Sequence, residues 1–138
     1  MKGSMINQIK PETLEDMVLP VRMKELFAPM IEGSIPLQNL TLHGVQGCGK
    51  STLAKLLARR AGDVLWVDGS ANCSLSNVQS ILEYTRLRKK QNARCKLVVI
   101  EEADGMAKNV QQALKRTIEE TGDRVVWLLL TNHPRCLI

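Results

Sequence analysis

At 138 residues and 15.4 kDa, the chain has room for one domain with a substantial core. A hydrophobic share of 44% excludes a disordered chain, and only 3% aromatics means a core of Leu, Val, Ile, Met and Ala. The net charge of +5 favours an anionic partner; no apolar run approaches bilayer length, no secretory signal is legible, and four scattered cysteines without C-x-x-C spacing argue against zinc and suit a reducing compartment.

Met1-Lys2-Gly3-Ser4 reads as a cloning remnant ahead of a native Met5, which leaves 5–138 as the domain. Lys10 to Asp16 is a polar, extended lead-in. Pro20 suits the first turn of a helix running to about Glu32, with Met23, Leu26, Phe27, Met30 and Ile31 on one face and Gly33 as its stop. Pro29 inside this pattern predicts a kink or break. A short strand is expected over residues 37–43.

Gly44-Val45-Gln46-Gly47-Cys48-Gly49-Lys50-Ser51 follows and matches G-x-x-x-x-G-K-[ST]. Glycines let the backbone curl so that successive N–H groups point at phosphate oxygens, and the positive end of the following helix adds to the field. Lys50 can reach the β- and γ-phosphates, and the Ser51 hydroxyl can sit on Mg²⁺. A strand before and a run of good helix formers from Thr52 to Arg60, stopped at Gly62, supply the required context. ATP or GTP is therefore the expected ligand.

A second strand is expected over 64–68, ended by Gly69-Ser70, and a helix over 76–88 with Val78, Ile81, Leu82 and Leu87 as its apolar positions. Arg86, Arg88, Lys89, Lys90, Arg94 and Lys96 form a basic cluster, read as a solvated helix end in preference to a nucleic-acid contact. Lys96 to Ile100 is an apolar strand of the kind found in a parallel sheet covered on both faces. It ends in Glu101-Glu102. In an open α/β sheet, ligands sit beyond the carboxyl ends of strands, so these acids belong beside the phosphate loop. One can hold Mg²⁺ through water and the other can orient or activate the attacking water. A helix over 107–121 and a strand over 125–131 complete the pattern, and Asn132 at the end of that strand offers a neutral amide to a γ-phosphate or water. Strand and helix alternate throughout, which predicts an α/β fold with a parallel sheet in three layers.

The phosphate loop, the segment Val98-Val99-Ile100-Glu101-Glu102-Ala103-Asp104, the run Gln111-Gln112-Ala113-Leu114-Lys115-Arg116 and the segment Leu129-Leu130-Thr131-Asn132 together resemble the AAA+ ATPases. Within them the chain looks like a sliding-clamp loader subunit of the replication factor C kind, and Leu19-Pro20 looks closer to the loaders of T-even-type phages. The resemblance implies an ATPase that uses ATP and Mg²⁺ to load a ring clamp onto DNA during replication. Its implied partners are other loader subunits, the sliding clamp and the phosphate backbone of primer–template DNA, with no membrane. The implied location is the cytoplasm of a bacterial or phage-infected cell, or the nucleus in a eukaryote.

By motif match, Val45, Gln46, Gly47, Cys48, Gly49, Lys50, Ser51 and Thr52 hold the nucleotide and Val18 lies near adenine. Ser51 and Glu101 serve the metal, while Glu102, Lys50 and Asn132 are catalytic. Ser76, Asn77 and Lys108 face DNA. Two departures stand out. The metal-side acid is Glu101 where the family usually has Asp, and the extra methylene moves the carboxylate by about 1 Å, a shift that can cost roughly 10²-fold in rate. No Ser-Arg-Cys arginine-finger motif, fifth strand or helical lid follows the fourth strand, so the resemblance implies the amino-terminal part of a longer protein. Competing readings are another AAA+ machine such as a helicase loader or branch-migration motor, a small-molecule P-loop kinase, and a nucleotide-binding structural subunit without turnover.

Overall fold

The computed structural model describes residues 21–43, 50–70 and 72–132. Val18, Val45, Gln46, Gly47, Cys48 and Gly49 lie outside the described residues, as does the Leu19-Pro20 pair. Four strands form one sheet in the order β1-β4-β3-β2, every neighbouring pair parallel. The strands are β1 (Leu40–His43), β2 (Gly62–Asp68), β3 (Cys95–Glu101) and β4 (Val125–Thr131). The helices are α1 (Val21–Glu32), α2 (Lys50–Ala61), α3 (Leu75–Arg86) and α4 (Lys108–Thr121). Single 3-10 turns at Ala103–Gly105 and Gly122–Arg124 precede and follow α4.

The alternation of side chains along β3 and β4 divides the core into two layers, one on each face of the sheet. Leu97, Val99, Leu128 and Leu130 point to one face, where Phe27 and Met30 of α1 and Leu53, Leu56 and Leu57 of α2 cover them. Val98, Ile100, Val125 and Trp127 point to the other face, under Val78 and Ile81 of α3 and Val110 and Leu114 of α4. The expected three-layer α/β arrangement with a parallel sheet is what the chain forms.

Several local expectations differ from the structure. Of the kink or break expected at Pro29, the break does not occur: α1 continues to Glu32. Phe27 and Met30, on either side of Pro29, are each 1% exposed, and their burial offsets the backbone hydrogen bond that a proline cannot make. The Pro29 carbonyl instead takes up the end of the helix, accepting from Gly33 N at 3.0 Å and Ser34 N at 2.9 Å. Strand β1 begins at Leu40 rather than residue 37, because the Asn39 side chain stands in for a strand carbonyl: its Oδ1 accepts from Trp127 N at 2.9 Å. Leu87, expected on an apolar face, lies just past the end of α3 and is 64% exposed.

Lys96 is not part of a solvated basic cluster. It is 4% exposed, and its Nζ lies 3.5 Å from Asp63 Oδ2 and 3.8 Å from the centre of the Tyr84 ring. Tyr84 Oη donates to Asp63 Oδ1 at 2.7 Å, and Lys90 N donates to Asp63 Oδ2 at 2.8 Å. Burial pushes the Asp63 carboxyl upward, but these donors and the Lys96 charge outweigh it and hold the group below its ordinary range. The same burial and the adjacent carboxylate raise the Tyr84 phenol. Two strands and the end of α3 are thus joined through one buried carboxylate.

Candidate nucleotide site at the carboxyl ends of the strands

The strand order decides which side chains can meet. β4 lies between β1 and β3, so the residue after β4 falls between the loop that follows β1 and the acids that follow β3. Register makes this concrete: His43 pairs with Thr131, and Ile100 pairs with Leu129. Asn132 follows Thr131, and Lys50 opens α2. Lys50 Nζ donates to Asn132 Oδ1 at 2.9 Å, across 82 residues of sequence. Both side chains are half-buried. Thr131 beneath them is 1% exposed, which seats the end of β4 firmly. Behind Lys50, Ser51 is exposed and Thr52 half-buried, in the first turn of α2.

Glu101 is the last residue of β3 and half-buried; Glu102, one residue on, is exposed. Their backbone is unusual. Glu102 adopts φ 54°, ψ 43°, the left-handed region that a residue with a Cβ enters only at a cost. The turn is held from both sides. Gly105 N donates to the Glu102 carbonyl at 2.9 Å, and Gly69 N donates to the Glu101 carbonyl at 2.6 Å. Gly69 approaches so closely that a Cβ there would stand 2.7 Å from the Glu101 carbonyl oxygen and 3.1 Å from that of Glu102. The turn after β2 therefore braces the turn that presents the two acids.

This brace was not anticipated from sequence, where Gly69-Ser70 served only as a strand end. Asp68 was missed as well. It pairs in register with Glu101, so a third carboxylate stands at the same end of the sheet; its Oδ1 accepts from Ser70 N at 3.0 Å.

The residues present suit a magnesium nucleotide. Among the described residues, no group of three or more His, Cys, Asp or Glu side chains could hold a metal unaided. Mg²⁺ characteristically sits on one or two carboxylates, keeps several waters and completes its shell with substrate phosphates, so one strand-end acid and a hydroxyl are an adequate donor set. A lysine at the start of a helix and a neutral amide beside it supply donors for phosphate oxygens.

The three residues expected to face DNA lie at helix starts. Lys108 is the first residue of α4 and exposed. Ser76 and Asn77 are exposed in the first turn of α3, and Asn77 is engaged in capping that helix. Its Oδ1 accepts from Ser74 N at 2.7 Å, while its own N donates to Ser74 Oγ at 3.4 Å. Ser76 Oγ lies 2.9 Å from Ser74 Oγ.

A parallel sheet with a lysine-bearing helix after its first described strand and acids after the third defines a nucleotide-binding α/β domain. The profile of the ATPase family associated with various cellular activities (AAA) matches residues 40–138, and the chain belongs to that family. It is 29% identical over 132 residues to replication factor C subunit 4 of Encephalitozoon cuniculi, covering 93% of this chain and 42% of that protein. It is 28% identical over 136 residues to replication factor C small subunit 1 of Pyrobaculum arsenaticum, covering 94% and 41%. The chain thus spans about two fifths of the length of these relatives. Among solved structures, it is similar to the Thermotoga maritima RuvB Holliday junction branch migration motor, with TM-score 0.74, 20% identity and coverage of 94% and 44%. It is also similar to a DNA polymerase III gamma subunit-related protein of the same organism, with TM-score 0.62, 19% identity and coverage of 83% and 40%. At such identities these two likenesses speak to the fold. No helix among the described residues is long and apolar enough to cross a membrane.

Proposed function

We propose that this chain is an ATP-binding and ATP-hydrolysing part of a DNA sliding-clamp loader subunit. The observation that carries the proposal is the Lys50–Asn132 hydrogen bond, which ties the phosphate-loop lysine to an amide at the end of the neighbouring strand. The relatives' names, replication factor C subunits, supply the direction toward clamp loading.

Residues 44–49 with Lys50, Ser51 and Thr52 bind the phosphates, and Val18 borders adenine. Lys50 directs its charge to the β- and γ-phosphates. Asn132 holds Lys50 in place and presents its amide to the terminal phosphate. Ser51 and Glu101 hold Mg²⁺, which supplies charge neutralisation at the phosphate oxygens when bound. Glu102 orients the attacking water and accepts its proton, and its left-handed backbone sets where the carboxylate points. Glu101, one methylene longer than Asp, slows turnover more than it weakens binding. Ser76, Asn77 and Lys108 meet DNA phosphates, and such contacts are salt-sensitive and indifferent to sequence. The partners are further loader subunits, a ring clamp and primer–template DNA.

ATP turnover by the full-length assembly, measured with and without a ring clamp and primer–template DNA, tests this reading. Stimulation by both together is expected. Turnover indifferent to the clamp but stimulated by branched DNA points to a branch-migration motor.

A further inference from the structure

At the opposite end of the sheet, where the strands begin, two arginines converge, and Asp123 in the same lining makes no ion pair with either. Gly33, just past α1, has φ +91°, and the space where a Cβ would stand is occupied. Arg60 Nη2 lies 1.6 Å from that position and Arg94 Nη2 lies 3.0 Å from it, so both guanidinium groups meet over the bare glycine backbone. They border a partly open cleft of about 210 Å³ with an apolar wall that includes Met30, Ile35, Leu37 and Val126.

The donors there are under-used. Arg60 Nη2 donates to the Glu32 carbonyl at 3.0 Å, which caps the end of α1. Among the described residues, Arg60 Nε is the one buried side-chain nitrogen or oxygen without a hydrogen-bond partner. The described residues give the Arg94 guanidinium no hydrogen bond or ion pair. A buried N–H without a partner is costly, and an anion reaching Arg60 would supply one, with the exposed Arg94 guanidinium beside it as a second donor. A planar or tetrahedral oxyanion matches the fork that a guanidinium presents. An adjoining basin of about 430 Å³ continues past Arg94 to Arg86, Arg88, Lys89 and Arg124, which extends the positive field outward.

We infer that Arg60 and Arg94 form an oxyanion-binding pocket at the amino ends of the strands, separate from the nucleotide site. It takes a phosphate or carboxylate group carried on a small body, with the anion between the two guanidinium groups and the body against the apolar wall.

The test is a titration of the ¹⁵N-labelled protein with inorganic pyrophosphate, and separately with succinate, followed by amide chemical shifts. Saturable shifts are expected at Gly33, Ile35, Arg94 and Val126. Shifts at Lys50 to Thr52 report the phosphate loop independently, so failure of one site is distinguishable from failure of the other. Arg94→Gln, which removes a guanidinium that makes no hydrogen bond or ion pair among the described residues, is expected to weaken binding at the new pocket about tenfold or more. Arg60→Gln should do the same and additionally loosen the end of α1. Saturation by pyrophosphate alone marks a phosphate ligand, and saturation by succinate marks a carboxylate. Absence of saturable shifts at these four amides with both probes, or an affinity unchanged in Arg94→Gln, overturns the inference.

Discussion

Asn132 accepts a 2.9 Å hydrogen bond from Lys50, and that contact ties the end of β4 to the beginning of α2. The two residues are brought together by strand order alone, because β4 inserts between β1 and β3. Replacing Asn132 with Ala leaves the lysine without this fixed acceptor. Mg-ATP binding is expected to weaken by less than about tenfold, the scale of one hydrogen bond to a charged group. Turnover is expected to fall further, since positioning at the terminal phosphate is lost. Equal losses in KM and kcat, or none, would remove Asn132 from the site.

Glu102 combines an exposed carboxylate with a left-handed backbone. Glu102→Gln keeps the shape and removes the base; ATP binding should persist while turnover in the full assembly stops. Glu102→Gly removes the carboxylate and also relieves the backbone, and it is expected to raise stability by roughly 0.5–1 kcal/mol, as is typical when a strained conformation is made permissible. Thermal unfolding checks the second outcome. A Gly variant less stable than the Gln variant would mean that the strain relieved is smaller than the entropy glycine adds to the unfolded chain.

The Asp63 cluster makes part of the fold's stability depend on pH. The Asp63 carboxyl is held below its ordinary value of 3.8, so its stabilisation is full above that value and disappears as pH falls through the lower folded-state value. Tyr84 is shifted upward from 10.0, so its contribution is full below pH 10 and disappears as pH rises through the folded-state value. Asp63→Asn leaves Lys96 buried without its counter-charge and should cost about 3–5 kcal/mol. Denaturant unfolding of this variant checks the cost. Its acid midpoint should also lose the steepness that Asp63 gives the parent.

Lys108 stands exposed at the start of α4. If it meets a DNA phosphate, Lys108→Ala should weaken primer–template binding by a similar factor on every sequence and lower the salt slope by about one unit. Fluorescence anisotropy at several salt concentrations measures both. An unchanged slope removes Lys108 from the interface.

Strand and helix types were legible in the sequence wherever composition was extreme. The apolar run Leu97-Val98-Val99-Ile100 reads as a strand of a parallel sheet covered on two faces, and both faces are covered. The Glu101-Glu102 pair was visible because acids directly after such a strand need a reason. What stayed hidden depended on contacts between distant segments. Lys96 looks like one more cation in a basic stretch until Asp63, 33 positions earlier, is seen opposite it. Gly69 looks like a strand end until the Glu101 carbonyl is found against it. The survival of α1 through Pro29 likewise depends on what Phe27 and Met30 bury, and propensity does not record that.

Calorimetric titration of Mg-ATP into the protein and into its Lys50→Ala variant tests the nucleotide site most directly. The expected result is saturable binding by the parent chain and none measurable by the variant over the same concentration range. Equal affinity in the two proteins would contradict the assignment of residues 44–51 and Asn132 to a phosphate site, and with it the ATP-driven role proposed for the chain.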